Sequence, residues 1–409
     1  MQRKDILELR KRFTKGHTTF TNLSGCYINS EKKIISKFNE FFLNLEEDEM
    51  FKYLEIAKKV LSGNMGNNVL KLDFPLDNDF SNKRQNSLMR LKKSELKDSE
   101  LLDEFYKLII DNYDYDGNYL ILFFHDAYDI MTKTKDRQNL DDSIEVFEYV
   151  LCAICPVSLS DAGLTYIEEE DKIKSRIRDW VVDPPSNGFV FPAFVDRSSD
   201  VNSLIYYTRK PKDPHPELME EVLGCKSKYT TVIEKETFQS IVQGSLDLDE
   251  EEANLVFMDV QDNLNSMVEE YKAMYEDTDQ DPIRLSEDNI REVLEESGVP
   301  EESTTKIENS YSEVFQGEPP LAEGLLDKKI LKESQQVQKE RNLMKQLNVL
   351  ENKLEEILPK NIDNKIVLNV SPVKASNIKI KAIDGQEYIL VPVNEDDETI
   401  INGEHKFNN

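Results

Sequence analysis

Apolar positions in the first half of the chain alternate between the spacing of helices and the spacing of strands. Helical spacing predicts helices at 3–14, 46–61, 83–93 and 97–112. Alternation or short apolar runs predict strands at 18–28, 34–38, 69–74, 118–124, 146–157, 163–167, 188–195 and 203–208. The links between the later strands are short, which favours antiparallel pairing because a parallel pair needs a crossover of about a dozen residues. We therefore expect an α+β domain with a largely antiparallel mixed sheet and flanking helices.

The second half of the chain is mostly helical. Three prolines between 211 and 216 interrupt the pattern, because proline continues neither a helix nor a central strand. Apolar residues from Ala253 to Met274 then recur at steps of four and three, which predicts one long helix. Two shorter helices are predicted near 287–297 and 301–315. Strands return at 366–370, 378–383 and 388–393, and Asp384-Gly385 is typical of a tight hairpin turn.

A leucine-rich stretch lies between Gly324 and Pro359. Its apolar residues are spaced by four, three, four and three positions: Leu343, Leu347, Leu350, Leu354 and Ile357. This spacing is a heptad seam about two heptads long. The seam either packs on the body of the protein or joins two copies in a homodimer. The chain thus divides into an α+β domain (1–210), an acidic helical region (211–324), a long amphipathic helix (325–360) and a small β unit (361–409).

Charge is distributed unevenly over the 409 residues, whose formal net charge is −29. Residues 211–320 contain 8 basic and 29 acidic side chains, so they hold most of that excess. Such a block repels nucleic acid and attracts basic surfaces, although it also serves simply to keep helix faces solvated. No apolar run approaches the ~20 residues that span a bilayer, and the N-terminus lacks the apolar segment of a signal peptide. Four cysteines make no disulfide framework, so we expect a cytoplasmic protein.

Two motifs resemble known sites without completing them. Cys152 and Cys155 have the spacing of a redox pair, but they lie in a strand-like run, where residues three apart face opposite ways. We interpret them as core cysteines. The segment 112–117 resembles the start of a calcium loop, but Phe123 occupies the position where the loop needs a glutamate. The sequence therefore predicts neither a metal site nor a cofactor.

Polar residues after two strands are the candidates for catalysis. His125, Asp126 and Asp129 follow the strand at 118–124, and a histidine beside an aspartate can act as a general base with its orienting group. Arg197 follows the strand at 188–195 and could bind a carboxylate or a phosphate. The alternatives are a hydrogen-bonded strand end for the first group and a salt bridge to a neighbouring aspartate for Arg197. No nucleophile with a supporting signature accompanies them.

Several of these segments, taken in order, resemble a known family. They are GCYI at 25–28, FLNL at 42–45, FKYLEI at 51–56, HDAYD at 125–129, CAICP at 152–156, RIRDW at 176–180, GFVFPAF at 188–194, DRS at 196–198 and YYT at 206–208. Together they are similar to domain of unknown function 4317, a family from low-GC Gram-positive bacteria. The resemblance covers roughly residues 1–320. It implies a cytosolic bacterial protein of regulatory or accessory type, and it brings no catalytic residue or cofactor.

Our leading functional hypothesis is a non-catalytic accessory factor that binds a protein partner. The acidic helices would contact a basic surface, and the leucine-rich helix would contact a partner or a second copy. One alternative is a hydrolase or phosphate-handling enzyme that uses His125, Asp126 and Arg197. Another is a nucleoid- or ribosome-associated factor that docks through the basic residues Arg10, Lys11 and Arg12.

Overall fold

The computed structural model describes most of the chain. The described residues are 3–14, 16–75, 82–133, 139–275, 282–315, 317–357, 370, 375–393, 399–401 and 404–406. They form two compact units, Met1–Gln335 and Gln336–Asn409. The predicted strand at 366–370 lies outside the described residues except for Val370.

The first part of the larger unit contains four helices and twelve strands among its described residues. The helices are α1 (Arg3–Arg12), α2 (Glu47–Val60), α3 (Lys83–Lys93) and α4 (Ser99–Asn112). The strands are β1 (Phe20–Ile28), β2 (Ile34–Phe41), β3 (Val69–Asp73), β4 (Asn118–Lys133), β5 (Asn139–Leu159), β6 (Leu164–Ile167), β7 (Lys172–Ser175), β8 (Trp180–Val182), β9 (Asn187–Phe191), β10 (Ala193–Val195), β11 (Ser198–Asp200) and β12 (Ser203–Thr208). The predicted α+β class, with its largely antiparallel sheet, is therefore confirmed.

Eight of these strands form one central sheet. Seven follow each other in the order β2-β1-β4-β5-β9-β12-β3, and β8 pairs with the end of β5. The described pairs of this sheet are antiparallel. The edge strands of this order are β2 and β3, and β4 and β5 lie near its middle.

The sheet has a hydrophobic core on each face, because successive residues of a strand point to opposite sides. Ile121 and Phe123 of β4 pack on the face that is covered by α3 and α4. Leu122 and Phe124 pack on the other face, where α1 and α2 lie. Strands that are buried on both faces read as continuous apolar runs, which is why 118–124 contains so few polar residues.

The helical region that follows has a third core. Its helices are α5 (Thr231–Gly244), α6 (Glu250–Met274), α7 (Glu287–Glu296), α8 (Glu301–Val314) and α9 (Ala322–Leu325). The first part of the predicted α6 stripe, namely Ala253, Phe257, Val260 and Leu264, is buried in this core, whereas Met274 at its end is exposed. Tyr311 lies at the centre and donates a 2.6 Å hydrogen bond to the carbonyl of Leu285, so its buried hydroxyl is satisfied.

The smaller unit begins within α10 (Lys328–Ile357), the predicted long helix. It also contains the hairpin β13 (Lys379–Ile383) and β14 (Gln386–Leu390), followed by the short pair β15 (Thr399–Ile401) and β16 (Glu404–Lys406). Asp384 and Gly385 join the first two strands with φ angles of 52° and 87°. Two successive positive φ angles are typical of a type I′ turn, so the predicted hairpin turn is confirmed.

Candidate functional site

His125 lies in the interior of β4, and both nitrogens of its ring have partners. The Thr21 hydroxyl is 2.6 Å from Nδ1, and Glu148 Oε1 is 3.2 Å from Nε2. Glu148 also forms an ion pair with Lys92 of α3, whose Nζ lies 3.2 Å from Glu148 Oε2. The imidazole itself is buried. A hydroxyl, an imidazole and a carboxylate therefore form one chain of hydrogen bonds on the α3 side of the sheet.

This arrangement can orient the imidazole, but it leaves no ring nitrogen open to a substrate. A general base must reach the proton that it removes directly or through one water molecule. Here Thr21 occupies one nitrogen of His125 and Glu148 the other. Neither Thr21 nor Glu148 was a candidate from the sequence, because each meets His125 only through the pairing of β4 with its neighbouring strands.

Asp126 lies on the opposite face of the sheet, beneath α1. The Tyr149 hydroxyl donates a 2.6 Å hydrogen bond to Asp126 Oδ2. Burial raises the pKa of this carboxyl group. Nearby, the Arg12 guanidinium stacks 3.7 Å above the ring of Tyr128. Asp126 thus lies on the α1 side of the sheet, whereas His125 lies on the α3 side.

Arg197 lies in the tight turn between β10 and β11 and binds the same helix. Its guanidinium pairs with Glu8 at 3.1 Å, and Asp196 pairs with Lys4 at 3.3 Å. The partner of Arg197 is thus a glutamate on α1 rather than a neighbouring aspartate. Both turn residues have positive φ angles, as a two-residue hairpin turn requires. Asp129 belongs to β4, and its side chain lies outside the described residues.

The cysteines are buried and free. Cys152 packs in the core beside α3 and α4, whereas Cys155 packs in the core beside α1 and α2. Their predicted divergence on a strand is confirmed. Burial raises the pKa of both thiols, which disfavours the reactive thiolate. Within the described residues, no group of three or more His, Cys, Asp or Glu side chains is arranged to hold a metal ion.

The basic residues of α1 are only partly available to a partner. Lys11 is exposed, whereas Arg10 and Arg12 are half-buried. Arg12 donates a 3.0 Å hydrogen bond to Thr19 in addition to its contact with Tyr128. A nucleic acid that binds through phosphate contacts needs cations that face solvent. Only one of the three predicted contact residues meets this condition fully.

The leucine seam of α10, defined by Leu343, Leu347, Leu350 and Leu354, is open in the smaller unit. Leu343, Leu347 and Leu350 are 60%, 56% and 59% exposed. The side chain of Leu354 lies outside the described residues. Exposed leucines at heptad spacing form an apolar stripe of the kind that helices bury against each other. The described residues of the smaller unit do not cover this stripe.

The acidic helices α6, α7 and α8 have few cations to neutralise them. Arg291 forms ion pairs with Glu295 at 2.9 Å and with Glu301 at 2.6 Å. Lys306 forms an ion pair with Asp247 at 3.1 Å. These pairs lie at the surface, where each contributes little to stability. Residues 211–320 have 21 more acidic than basic side chains. The helices therefore present a negative surface.

A second apolar surface lies on the hairpin of β6 and β7. Tyr166 and Ile173 are cross-strand neighbours, and both are exposed together with Leu164. Ile177 and Trp180, which follow β7, are exposed as well. The sequence predicts a strand here, but it does not show that these apolar side chains are exposed. Large exposed apolar surfaces commonly mark contacts with other proteins.

Comparison with known proteins gives one result. The family model described as Domain of unknown function (DUF4317) matches residues 1–404, which is nearly the whole chain. No curated protein matches the chain. The match includes the leucine-rich helix, for which the sequence motifs give the weakest resemblance. Among the described residues, no helix combines the length and the apolar character that crossing a membrane requires.

Proposed function

The chain belongs to the family Domain of unknown function (DUF4317), and from this premise we propose that it is a protein-binding accessory factor. The observation that carries the proposal is the open leucine seam of α10. A soluble helix normally buries such a stripe, because exposing several leucines to water is costly. The protein therefore acts by contact with another polypeptide.

The partner at the leucine seam is a second copy of the chain. The seam spacing of four and three residues is the spacing at which two identical helices pack side by side. Helix α10 contains seven basic and five acidic residues, so two copies approach without strong repulsion. The acidic helices, by contrast, would repel each other and are better suited to a basic protein surface.

A binding role suits the candidate residues better than the hydrolase hypothesis does. His125 is bound on both nitrogens, Asp126 lies on the other face of the sheet, and Arg197 is paired with Glu8. An acid–base mechanism needs such groups in one site. The four free, buried cysteines support a reducing compartment, so we place this function in the cytoplasm.

Light scattering after size-exclusion chromatography tests the proposal. The wild-type chain should have the mass of a dimer at tens of micromolar, and Leu347→Glu should have the mass of a monomer, because it places a charge in the seam. Asn348→Glu adds the same charge one position away, off the seam, and should remain dimeric. A monomeric wild-type chain, or equal masses for the two variants, would contradict the proposed dimer.

A separate experiment tests the acidic helices. Immobilised protein is exposed to a cell extract at low and at high salt, and the retained proteins are compared. An electrostatic partner is retained at low salt and released at high salt, because salt screens surface charges. If no protein is retained under either condition, the proposal of a basic partner is wrong.

A further inference from the structure

A cavity of about 370 Å³ lies between β3 of the central sheet and the helical region. Its volume falls in the range of small-molecule pockets, about 300–1,000 Å³. The lining residues come from two distant parts of the chain, 65–73 and 226–321. Pockets that bind small molecules commonly lie at such junctions within a fold, so the side chains of this cavity indicate which ligand it could hold.

Part of the cavity wall is apolar. Val314 at the end of α8 and Phe315 after it line the cavity, together with Leu321 and Met65. Phe315 also packs against the core of the helical region, which holds its ring in place. A wall of this kind accommodates the apolar part of a ligand, whereas the polar groups of the cavity fix the orientation of that ligand.

Most of the charged side chains around the cavity already form ion pairs with each other. Lys228 and Arg284 both bind Glu318, at 2.9 and 2.8 Å. The lysine of β3, Lys71, lies between two aspartates, at 3.2 and 3.1 Å. These pairs leave the cavity without a surplus of either charge, so a simple anion or a simple cation is not the ligand that it favours.

Two side chains of opposite charge remain in the cavity after these pairs are formed. Glu234 of α5 and Lys226 both line it, and neither side chain forms a hydrogen bond or an ion pair with a described residue. Glu234 is half-buried, whereas Lys226 is exposed. The long and flexible stem of a lysine lets its ammonium group follow a ligand. A ligand in the cavity therefore meets one carboxyl group and one ammonium group.

Glu234 lies where an isolated negative charge is unfavourable. Burial raises the pKa of its carboxyl group from 4.5 to about 7, although Lys228 and Arg284 oppose the shift and Glu318 adds to it. A ligand ammonium group beside this carboxyl group would favour the ionised form, because an opposite charge at close range stabilises it. A perturbed carboxyl group in a cavity is a common feature of binding sites.

We propose that the cavity binds a free α-amino acid with an apolar side chain. The ammonium group of the ligand pairs with Glu234, its carboxylate pairs with Lys226, and its side chain packs on Phe315. Each charge of this zwitterion thereby meets a side chain of opposite charge that has no other partner among the described residues. The cavity belongs to the larger unit and is distinct from the leucine seam, so the proposal goes beyond the proposed function.

Isothermal titration calorimetry of the full chain, at a pH above the pKa of Glu234, tests the proposal. L-leucine is titrated beside isopentylamine, which lacks its carboxylate, and isocaproate, which lacks its ammonium group. L-phenylalanine is titrated in the same way beside phenethylamine and hydrocinnamate. At least one of the two amino acids should bind saturably and at least about tenfold more tightly than both of its analogues. No binding of either amino acid, or equal affinities within each set, overturns the proposal.

Two variants assign the two charges of the ligand to their partners. Glu234→Gln keeps the size of the side chain but removes its charge, so it should weaken binding of the amino acid about tenfold without weakening that of the acid analogue. Lys226→Met removes the opposite charge, so it should weaken binding of the amino acid about fivefold without weakening that of the amine analogue. Equal losses for the amino acid and both analogues overturn this assignment.

Glu236→Gln is the matched control for the carboxyl variant. Glu236 lies on the same helix, but it is exposed and pairs with Lys212, and neither residue lines the cavity. This variant should bind the amino acid as tightly as the wild-type protein does. Circular dichroism checks that each variant is folded, and the exposed position of Lys226 keeps the proposal testable if Glu234→Gln disturbs α5. Wild-type affinity in both cavity variants overturns the proposed pairing.

Discussion

His125 and Asp126 are adjacent in the chain, but their side chains form hydrogen bonds on opposite faces of the central sheet. His125 Nε2 lies 3.2 Å from Glu148 Oε1 on the side of α3, and Asp126 Oδ2 accepts a 2.6 Å hydrogen bond from Tyr149 on the side of α1. Each residue therefore belongs to a different network. A pair that looks like a base and its orienting group in the sequence is divided by the alternation of the strand.

A double-mutant cycle measures this separation. His125→Gln and Asp126→Asn should change the free energy of unfolding additively, within about 0.5 kcal/mol, because the two side chains share no partner. The matched cycle of His125→Gln with Glu148→Gln should give a coupling energy of about 0.5–3 kcal/mol, since these side chains contact each other directly. Urea denaturation of the wild-type protein, the three single variants and the two double variants provides the values. Strong coupling in the first cycle would mean that His125 and Asp126 act together.

Two buried tyrosine hydroxyls on the α1 side should differ in their contribution to stability. Tyr149→Phe removes the hydrogen bond to Asp126 and leaves a buried carboxyl group without that donor, so it should cost about 1–3 kcal/mol. Tyr128→Phe is the matched control, because the Tyr128 hydroxyl is buried and has no hydrogen-bond partner in the described part of the chain. Its removal should be close to neutral. Equal losses in thermal or urea unfolding would contradict the described network.

The elements that could be predicted from the sequence are those whose signal is local. The heptad spacing of α10, the turn at Asp384 and Gly385, and the apolar stripe of α6 each depend on residues within a few positions of each other. Polar residues caused the main errors in strand length. The strand predicted to end at 124 continues to Lys133, because His125 and Asp126 pair across the sheet with residues of β5.

The contacts of the candidate residues could not be predicted in this way. Glu148 is 23 positions from His125, and Thr21 is 104 positions away, so each contact depends on strand order and register. The partner of Arg197 is Glu8, which lies on a helix at the other end of the domain sequence. Sequence reasoning identified polar residues at the ends of apolar runs, but the sheet topology decides which of them meet.

The attachment of α1 to the sheet should depend on apolar burial more than on its ion pairs. Leu9 is fully buried, so Leu9→Ala should lower the free energy of unfolding by about 2–5 kcal/mol. Arg197→Gln breaks the ion pair with Glu8, in which both side chains are partly exposed, and should cost at most about 1 kcal/mol. Urea denaturation compares the two variants. A larger loss in the free energy of unfolding for Arg197→Gln than for Leu9→Ala would show that ion pairs contribute more than apolar burial to the attachment of α1.

Glu234 of α5 lines a cavity beside β3, and its carboxyl group should make stability depend on pH. Burial raises the pKa of its carboxyl group from 4.5 to about 7, although Lys228 and Arg284 oppose the shift and Glu318 adds to it. Between those two pKa values the folded protein binds more protons than the unfolded chain, so the free energy of unfolding falls as the pH rises.

Glu234→Gln removes this titration. Its melting temperature relative to the wild-type protein should therefore increase across that pH interval, whereas Glu236→Gln, an exposed control on the same helix, should show no such trend. A constant difference between Glu234→Gln and the wild-type protein at all pH values would show that Glu234 titrates alike in the folded and unfolded states.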